Sequence, residues 1–147
     1  LGLTLGLAPA AAWLAVTGGV ALEAVLLFVA VGLWVGGFDV IYGIFDLDFD
    51  RREGLRSVAV ALGPRRALLV ALLSHVAAVA VLAAVGALLG LGVVYWGGLL
   101  AVAVLLAWSH VDIARRGLEE VGMGFMSVNG VVGLVYGAVV IAEVLLH

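Results

Sequence analysis

Five stretches of this chain are apolar over the length of a membrane crossing or close to it: Leu3 to about Val16, Leu22 to Phe45, about Arg66 to Leu89, Val93 to about Val111, and about Met123 to Leu146. A hydrocarbon core near 30 Å needs about 20 consecutive apolar residues in a helix. The first stretch is short of that and the other four approach or exceed it. Hydrophobic residues make up 66% of the chain and charged ones 12%, well away from the balance of a soluble domain. With only Pro9 and Pro64, helices are favoured over a barrel, because backbone groups in lipid must be satisfied internally. The 21 glycines suit helices packed closely through small side chains. The expected fold is all-α: an integral membrane helical bundle of about five transmembrane helices, with residues 1–147 forming one transmembrane domain.

Charge placement tests that division. All seven arginines fall in two connections: Arg51, Arg52, Arg56, Arg65 and Arg66 after the second stretch, and Arg115 and Arg116 after the fourth. The turns near Gly18 and Gly90 carry no basic residue. Alternating helices put both arginine-bearing loops on one side, which the positive-inside rule makes cytoplasmic. Tyr95 and Trp96 then fall where an aromatic belt is expected. There is no cysteine, hence no disulfide or thiolate metal site, and no basic tract pointing to nucleic acid. The chain starts inside an apolar segment without a methionine, as expected of a fragment of a longer protein.

The chemically informative stretch follows the second apolar run. Five acidic residues (Asp39, Asp46, Asp48, Asp50 and Glu53) lie within fifteen positions, interleaved at their end with arginines. Carboxylates at a bilayer edge cost free energy and mark sites that bind something. On a continuous helix Asp39, Tyr42, Asp46 and Asp50 share one face, spanning about 16 Å, with neighbours roughly 6 Å apart along the axis. Asp46 and Asp50 are then placed to offer oxygens to magnesium, which takes a few carboxylates, several waters and substrate phosphates. Asp48 points elsewhere and is expected in solvent. Arg51, Arg52 and Arg56 are candidates for phosphate oxygens, since a planar guanidinium binds them in bidentate fashion. The plain alternative is a solvated charged cap. Asp39 and Tyr42 weigh against it because they lie deeper, within the apolar run.

The pattern Asp39-x-x-Tyr42-x-x-x-Asp46-x-x-x-Asp50-x-x-x-Gly54-x-x-Ser57 resembles the second aspartate-rich motif of the UbiA-type intramembrane prenyltransferases. Trp34 to Phe38 before it, Gly63 to Ala67 after it, Ala8 to Gly18 upstream and Phe125 to Asn129 in the last span are similar to their counterparts in that family. The nearest likeness is to the 4-hydroxybenzoate polyprenyltransferases. The resemblance implies the second half of a nine-helix fold, in which each half contributes one Asp-rich motif; the first motif is not among these residues, so the piece alone is expected to be inactive. It further implies magnesium-dependent transfer of an isoprenyl group from a polyprenyl diphosphate to an aromatic acceptor such as 4-hydroxybenzoate, in ubiquinone or menaquinone biosynthesis, within a prokaryotic cytoplasmic membrane. By the same resemblance Asp46 and Asp50 hold metal, Arg51, Arg52 and Arg56 contact diphosphate (Arg56 foremost), and Asp39 and Tyr42 lie deeper, near the ring or cation.

Other polar residues carry less. Asn129 reads equally as cavity-lining or as an interhelical hydrogen-bonding residue. His75 reads as packed or hydrogen-bonded rather than as a base, His110 with Asp112 as solvated, and Arg115, Arg116, Glu119 and Glu120 as a charged loop or a flap over diphosphate. Trp13, Trp34 and Trp108 read as packing residues, and Glu23 and Glu143 as lying near helix ends. The rival readings are a CDP-alcohol phosphotransferase, whose additional upstream motif has no match before Asp39, and a transporter, which needs carboxylates at mid-membrane on several helices.

Overall fold

Helix follows helix along the chain: α1 (Gly2–Thr17), α2 (Leu22–Phe45), α3 (Leu47–Arg52), α4 (Val58–Leu62), α5 (Pro64–Leu88), α6 (Val93–Arg116) and α7 (Leu118–Leu146). This computed structural model describes residues 1–146, with side chains described outside 118–126. Among the described residues, four helices are long and apolar enough to cross a membrane: α2, α5, α6 and residues Ser127–Leu146 of α7. The fifth expected stretch is α1, which is apolar and shorter than the other four. Leu3 to Val16 does form a helix, but α1 has 16 residues, about 24 Å at the α-helical rise.

The chain packs as two units, Leu1–Val81 and Leu82–His147. In the first, α1 and α2 form an antiparallel pair whose contact is made of glycine. Gly2 and Gly6 on α1 face Gly32, Gly36 and Phe28 on α2. A Cβ on Gly6 would stand 2.6 Å from the Phe28 carbonyl oxygen, and one on Gly2 would stand 2.9 Å from the Gly36 nitrogen. Each helix thus presents a small-xxx-small pair, which lets backbones approach where lipid supplies no hydrophobic drive for association. Towards the turn the pair opens into an apolar groove of about 330 Å³, lined by Leu7, Ala10, Ala11 and Leu14 on one side and by Val20, Ala24, Val25 and Phe28 on the other. On another face of α2, Gly37 receives the ring of His75 from α5.

In the second unit, α6 and α7 run antiparallel. Gly98 is packed against Val139, and Tyr95 lies over Gly86 near the end of α5. Tyr95 is 1% exposed, with its hydroxyl donating to the Leu82 carbonyl at 2.7 Å. That corrects its placement in an aromatic belt: it is a core residue with a satisfied polar tip. Trp96 beside it stays exposed and donates its indole N–H to the Leu91 carbonyl at 3.1 Å. Trp108, expected in packing, is exposed. The outward faces carry residues such as Leu73, Leu100, Val104 and Leu134, an apolar surface that suits lipid rather than water.

Helix α6 begins without a side-chain cap of its own at Gly92. Glu143, near the end of α7 and 2% exposed, supplies one. Its two oxygens accept from the backbone N–H of Gly92 and, at 3.0 Å, of Tyr95. A carboxylate at a helix N-terminus satisfies orphan donors and complements the helix dipole. Expected merely near a helix end, Glu143 is a structural element of the α6–α7 hairpin.

Candidate functional site: a polar pocket at the end of α2

The acidic stretch does not continue as one helix. Helix α2 ends at Phe45, and Asp46 takes the cap position (φ −88°, ψ 4°) before α3 begins. The helical ladder nonetheless carries across the break: Asp46 N–H donates to the Tyr42 carbonyl at 3.2 Å, and Asp50 N–H donates to the Asp46 carbonyl at 2.8 Å. The expected unbroken stripe from Asp39 to Asp50 is thus corrected to two segments joined at Asp46.

Beyond Asp50 the chain must turn back, and Gly54 makes that turn. Its φ of +65° is left-handed, a conformation open to glycine at little cost. Leu55 N–H then reaches the Asp50 carbonyl at 2.8 Å and Gly54 N–H the Arg51 carbonyl at 3.4 Å, the paired bonds of a Schellman cap. Three residues later Ser57 is the N-cap of α4, its hydroxyl accepting from Val60 N–H at 3.3 Å. Helix α4 stops at Gly63, and Pro64 opens α5 at a position where its missing N–H costs nothing. Gly54 and Ser57 are therefore the turn and cap that return the chain to α2.

The return closes a pocket of about 260 Å³ lined by Asp39, Val40 and Gly43 of α2 and by Arg56, Ser57, Val58 and Ala59. A Cβ on Gly43 would lie 3.8 Å from the Ser57 Cβ, so the two segments meet at ordinary van der Waals distance. Asp39 and Arg56 both line the pocket. Asp39 is half-exposed. Tyr42 is half-buried, with its ring centroid 6.4 Å from that of Phe38.

The remaining candidates sit outside the pocket wall. Asp46 and Asp48 are exposed and Asp50 is buried at 9%. Neither Asp46 nor Asp50 is ion-paired among the described residues. Arg51 is exposed, and so is Arg52, whose Nε donates to the Asp48 carbonyl at 3.1 Å. No three acidic or histidine side chains converge on one point among the described residues. The site thus offers a pair of carboxylates one helical turn apart, not a closed protein cage.

Elsewhere, Asn129 is half-buried on α7. Asp112, expected in solvent, is largely buried and bound to Arg116 at 2.8 Å, and His110 is half-buried. His75 is buried, as expected, with its Nε2 3.1 Å from the Trp34 carbonyl. Glu119, Glu120, Phe125 and Met126 lie outside the residues whose side chains are described. Sequence reasoning missed the capping roles of Ser57 and Glu143. Ser57 had a signal, a serine opening a short apolar run after a glycine turn, whereas Glu143 caps a helix that begins 51 residues before it.

Among the described residues, four membrane-length apolar helices, outward apolar faces and a polar pocket near a helix end define an integral membrane protein with an open polar site. Comparison with known proteins specifies it further. The UbiA prenyltransferase family matches residues 1–141, and the chain belongs to that family. A 4-hydroxybenzoate octaprenyltransferase of Alkalilimnicola ehrlichii is 36% identical over 136 residues, covering 92% of this chain and 46% of that protein. The enzyme of the same name from Klebsiella pneumoniae is 35% identical over 135 residues, with the same coverages. The apo structure of a UbiA homolog from Aeropyrum pernix K1 matches with a TM-score of 0.78 at 32% identity, over 97% of this chain and 54% of that one. The chain spans about half the length of the relatives it matches.

Proposed function

We propose that this chain is the second half of a magnesium-dependent prenyltransferase that moves an isoprenyl group from a polyprenyl diphosphate to an aromatic acceptor of the 4-hydroxybenzoate type, in quinone biosynthesis. The observation that carries the reading is the pocket lined by both Asp39 of α2 and Arg56 of the returning loop, with the Asp46–Asp50 pair on the segment that joins them. The family match and the names of its relatives supply the substrate class.

Magnesium fits the donor set. Asp46 and Asp50 present two carboxylates without protein counter-ions among the described residues, and magnesium takes one or two carboxylates together with substrate phosphates. Bound there, it would neutralise charge on the leaving diphosphate.

The chain's own residues do the rest. Arg56, exposed at the pocket rim, binds diphosphate oxygens by charge-assisted hydrogen bonds; Arg51 and Arg52 flank the same approach. Departure of the diphosphate breaks the allylic C–O bond and leaves a cation. A ring carbon of the acceptor forms the new C–C bond and then loses its proton. Asp39 sets a carboxylate beside that event, where a fixed negative charge favours the cation, and Tyr42 stands one turn along the same helix. Asn129 is assigned to the cavity wall. The family's first aspartate-rich motif, from the part of the fold that this chain does not span, would complete the metal site. The site-bearing loops face the cytoplasm of a prokaryotic cell under the positive-inside rule.

The test uses membranes holding the full-length protein, magnesium, an isoprenyl diphosphate and 4-hydroxybenzoate. Prenylated acceptor is expected. Arg56→Ala should raise the KM for the diphosphate by about ten- to a hundredfold, the worth of a hydrogen bond to a charged group, and Arg56→Lys should raise it less. Absence of product with every aromatic acceptor tried, from folded protein, would overturn the reading.

A further inference from the structure

One buried polar group has no part in the chemistry above. His75 sits midway along α5 and is 1% exposed. Its Nε2 lies 3.1 Å from the Trp34 carbonyl oxygen of α2. A carbonyl only accepts, so this contact requires the proton on Nε2. The imidazole ring stacks on Phe38 with centroids 4.6 Å apart and an interplanar angle of 49°. Phe38 in turn lies 6.4 Å from the Tyr42 ring, tilted by 32°. Between them Gly37 leaves the space that the imidazole occupies: a Cβ there would stand 2.5 Å from both Cδ2 and Nε2.

Three features make this more than packing. Apolar contact between helices is non-directional, so apolar packing does not by itself fix how far α2 is rotated. A hydrogen bond to one chosen carbonyl is directional and does fix it. The carbonyl has a second lone pair, so it can receive His75 while remaining in the helical ladder. The aromatic series His75, Phe38, Tyr42 then runs from α5 to the start of the acidic segment. Asp39 follows Phe38 directly and lines the pocket.

We infer that His75 is a positioning residue: through the Trp34 carbonyl and the Phe38 ring it sets the rotation of α2 that presents Asp39 and Tyr42 to the reacting groups. The role rests on the prenyl-transfer reading for its catalytic consequence, but not for its structural one. His75 does not touch substrate. Its Nε2 is engaged by α2, and Phe38 stands between its ring and Tyr42.

The test uses the full-length protein. His75→Leu keeps the bulk and removes the donor, whereas His75→Gln returns an N–H to the place of Nε2. His75→Leu should lower kcat by about ten- to a hundredfold, the scale of a misplacement of about 1 Å. The KM for the diphosphate and the magnesium requirement should change little, because Arg56 and the Asp46–Asp50 pair lie elsewhere. His75→Gln should recover much of the loss. Gly37→Ala, which pushes the ring away, should reproduce it, and this second variant carries the test should His75→Leu fail to fold. In a double-mutant cycle, His75→Leu should cost clearly less on top of Tyr42→Leu than it does alone, the remainder acting through Asp39.

A readout independent of turnover is also at hand. This chain has no cysteine, so Asp39→Cys is a unique thiol within it. Its rate of modification by a water-soluble thiol reagent should shift several-fold in the His75→Leu background and return with His75→Gln. Additive losses in the cycle, or an unchanged labelling rate in folded His75→Leu protein, would overturn the positioning role. If the unaltered protein transfers no prenyl group, the functional reading falls and the labelling rates alone decide the fate of this one.

Discussion

Asp46 and Asp50 lie one turn apart and live in different surroundings. Asp46 caps α2 in the open, whereas Asp50 is buried, with its backbone carbonyl tied into the Gly54 turn. Their spacing was legible from residue numbers alone; their unequal exposure was not, because it depends on how the chain turns at Gly54 and returns at Ser57. The same turn explains why Arg56 shares a pocket with Asp39 while Arg51 and Arg52 stay outside it. Ser57 is the residue on which that return depends. Its hydroxyl satisfies Val60 N–H, and losing such a cap costs about 1 kcal/mol. Ser57→Ala should therefore raise the KM for the isoprenyl diphosphate by about fivefold with little change in kcat, read from steady-state kinetics. Thr at the same position should retain most of the affinity.

At the scale of elements, the apolar runs located the helices well. Leu22 to Phe45 is α2 as expected, and the others agree to within a few residues except at the charged ends. Helix α6 runs on through Asp112, Arg115 and Arg116 to Gly117 rather than stopping near Val111, because an i,i+4 pair such as Asp112–Arg116 supports a helix as well as apolar residues do. The short helices α3 and α4 escaped notice because five or six residues hold too little periodicity to read.

Pairing was less legible than existence. The abundance of glycine predicted close packing but not which glycines meet. Gly6→Leu should separate α1 from α2 and cost about 1–3 kcal/mol by overpacking, read as a lower melting temperature in detergent. Gly19→Ala, which meets nothing within 4 Å, should leave it unchanged. Glu143 makes the corresponding case in the second unit. Glu143→Ala leaves the N–H groups of Gly92 and Tyr95 without their acceptor and should cost about 1–3 kcal/mol, measured by thermal unfolding. Glu143→Gln, which keeps one carbonyl oxygen, should cost less.

For the whole molecule, the membrane class followed from composition, since an apolar share of 66% leaves few alternatives. Lipid as the outer solvent explains why large apolar residues such as Leu134 and Leu100 are turned outward while Tyr95, His75 and Glu143 are turned in. In a bilayer, burying leucine brings little drive for association, so close glycine contacts and buried hydrogen bonds join the apolar core residues, such as Ile41, Leu99 and Leu106, in holding the helices together. The chain spans about half of its relatives' length, and its Asp46–Asp50 pair offers two carboxylates rather than a complete ligand set. Both facts are what the proposed function expects of a chain that would hold one part of a metal–diphosphate site.

The most direct test is a magnesium titration of prenyl transfer by the full-length protein, unaltered and with Asp50→Asn. If the Asp46–Asp50 pair holds the metal, chelation abolishes transfer. Asp50→Asn should then shift the magnesium requirement upward by about tenfold or more, the scale of losing one charged contact to the bound site, while the folded yield stays constant. Equal magnesium curves for the two proteins, with only the maximal rate reduced, would contradict the assignment of the metal to this pair.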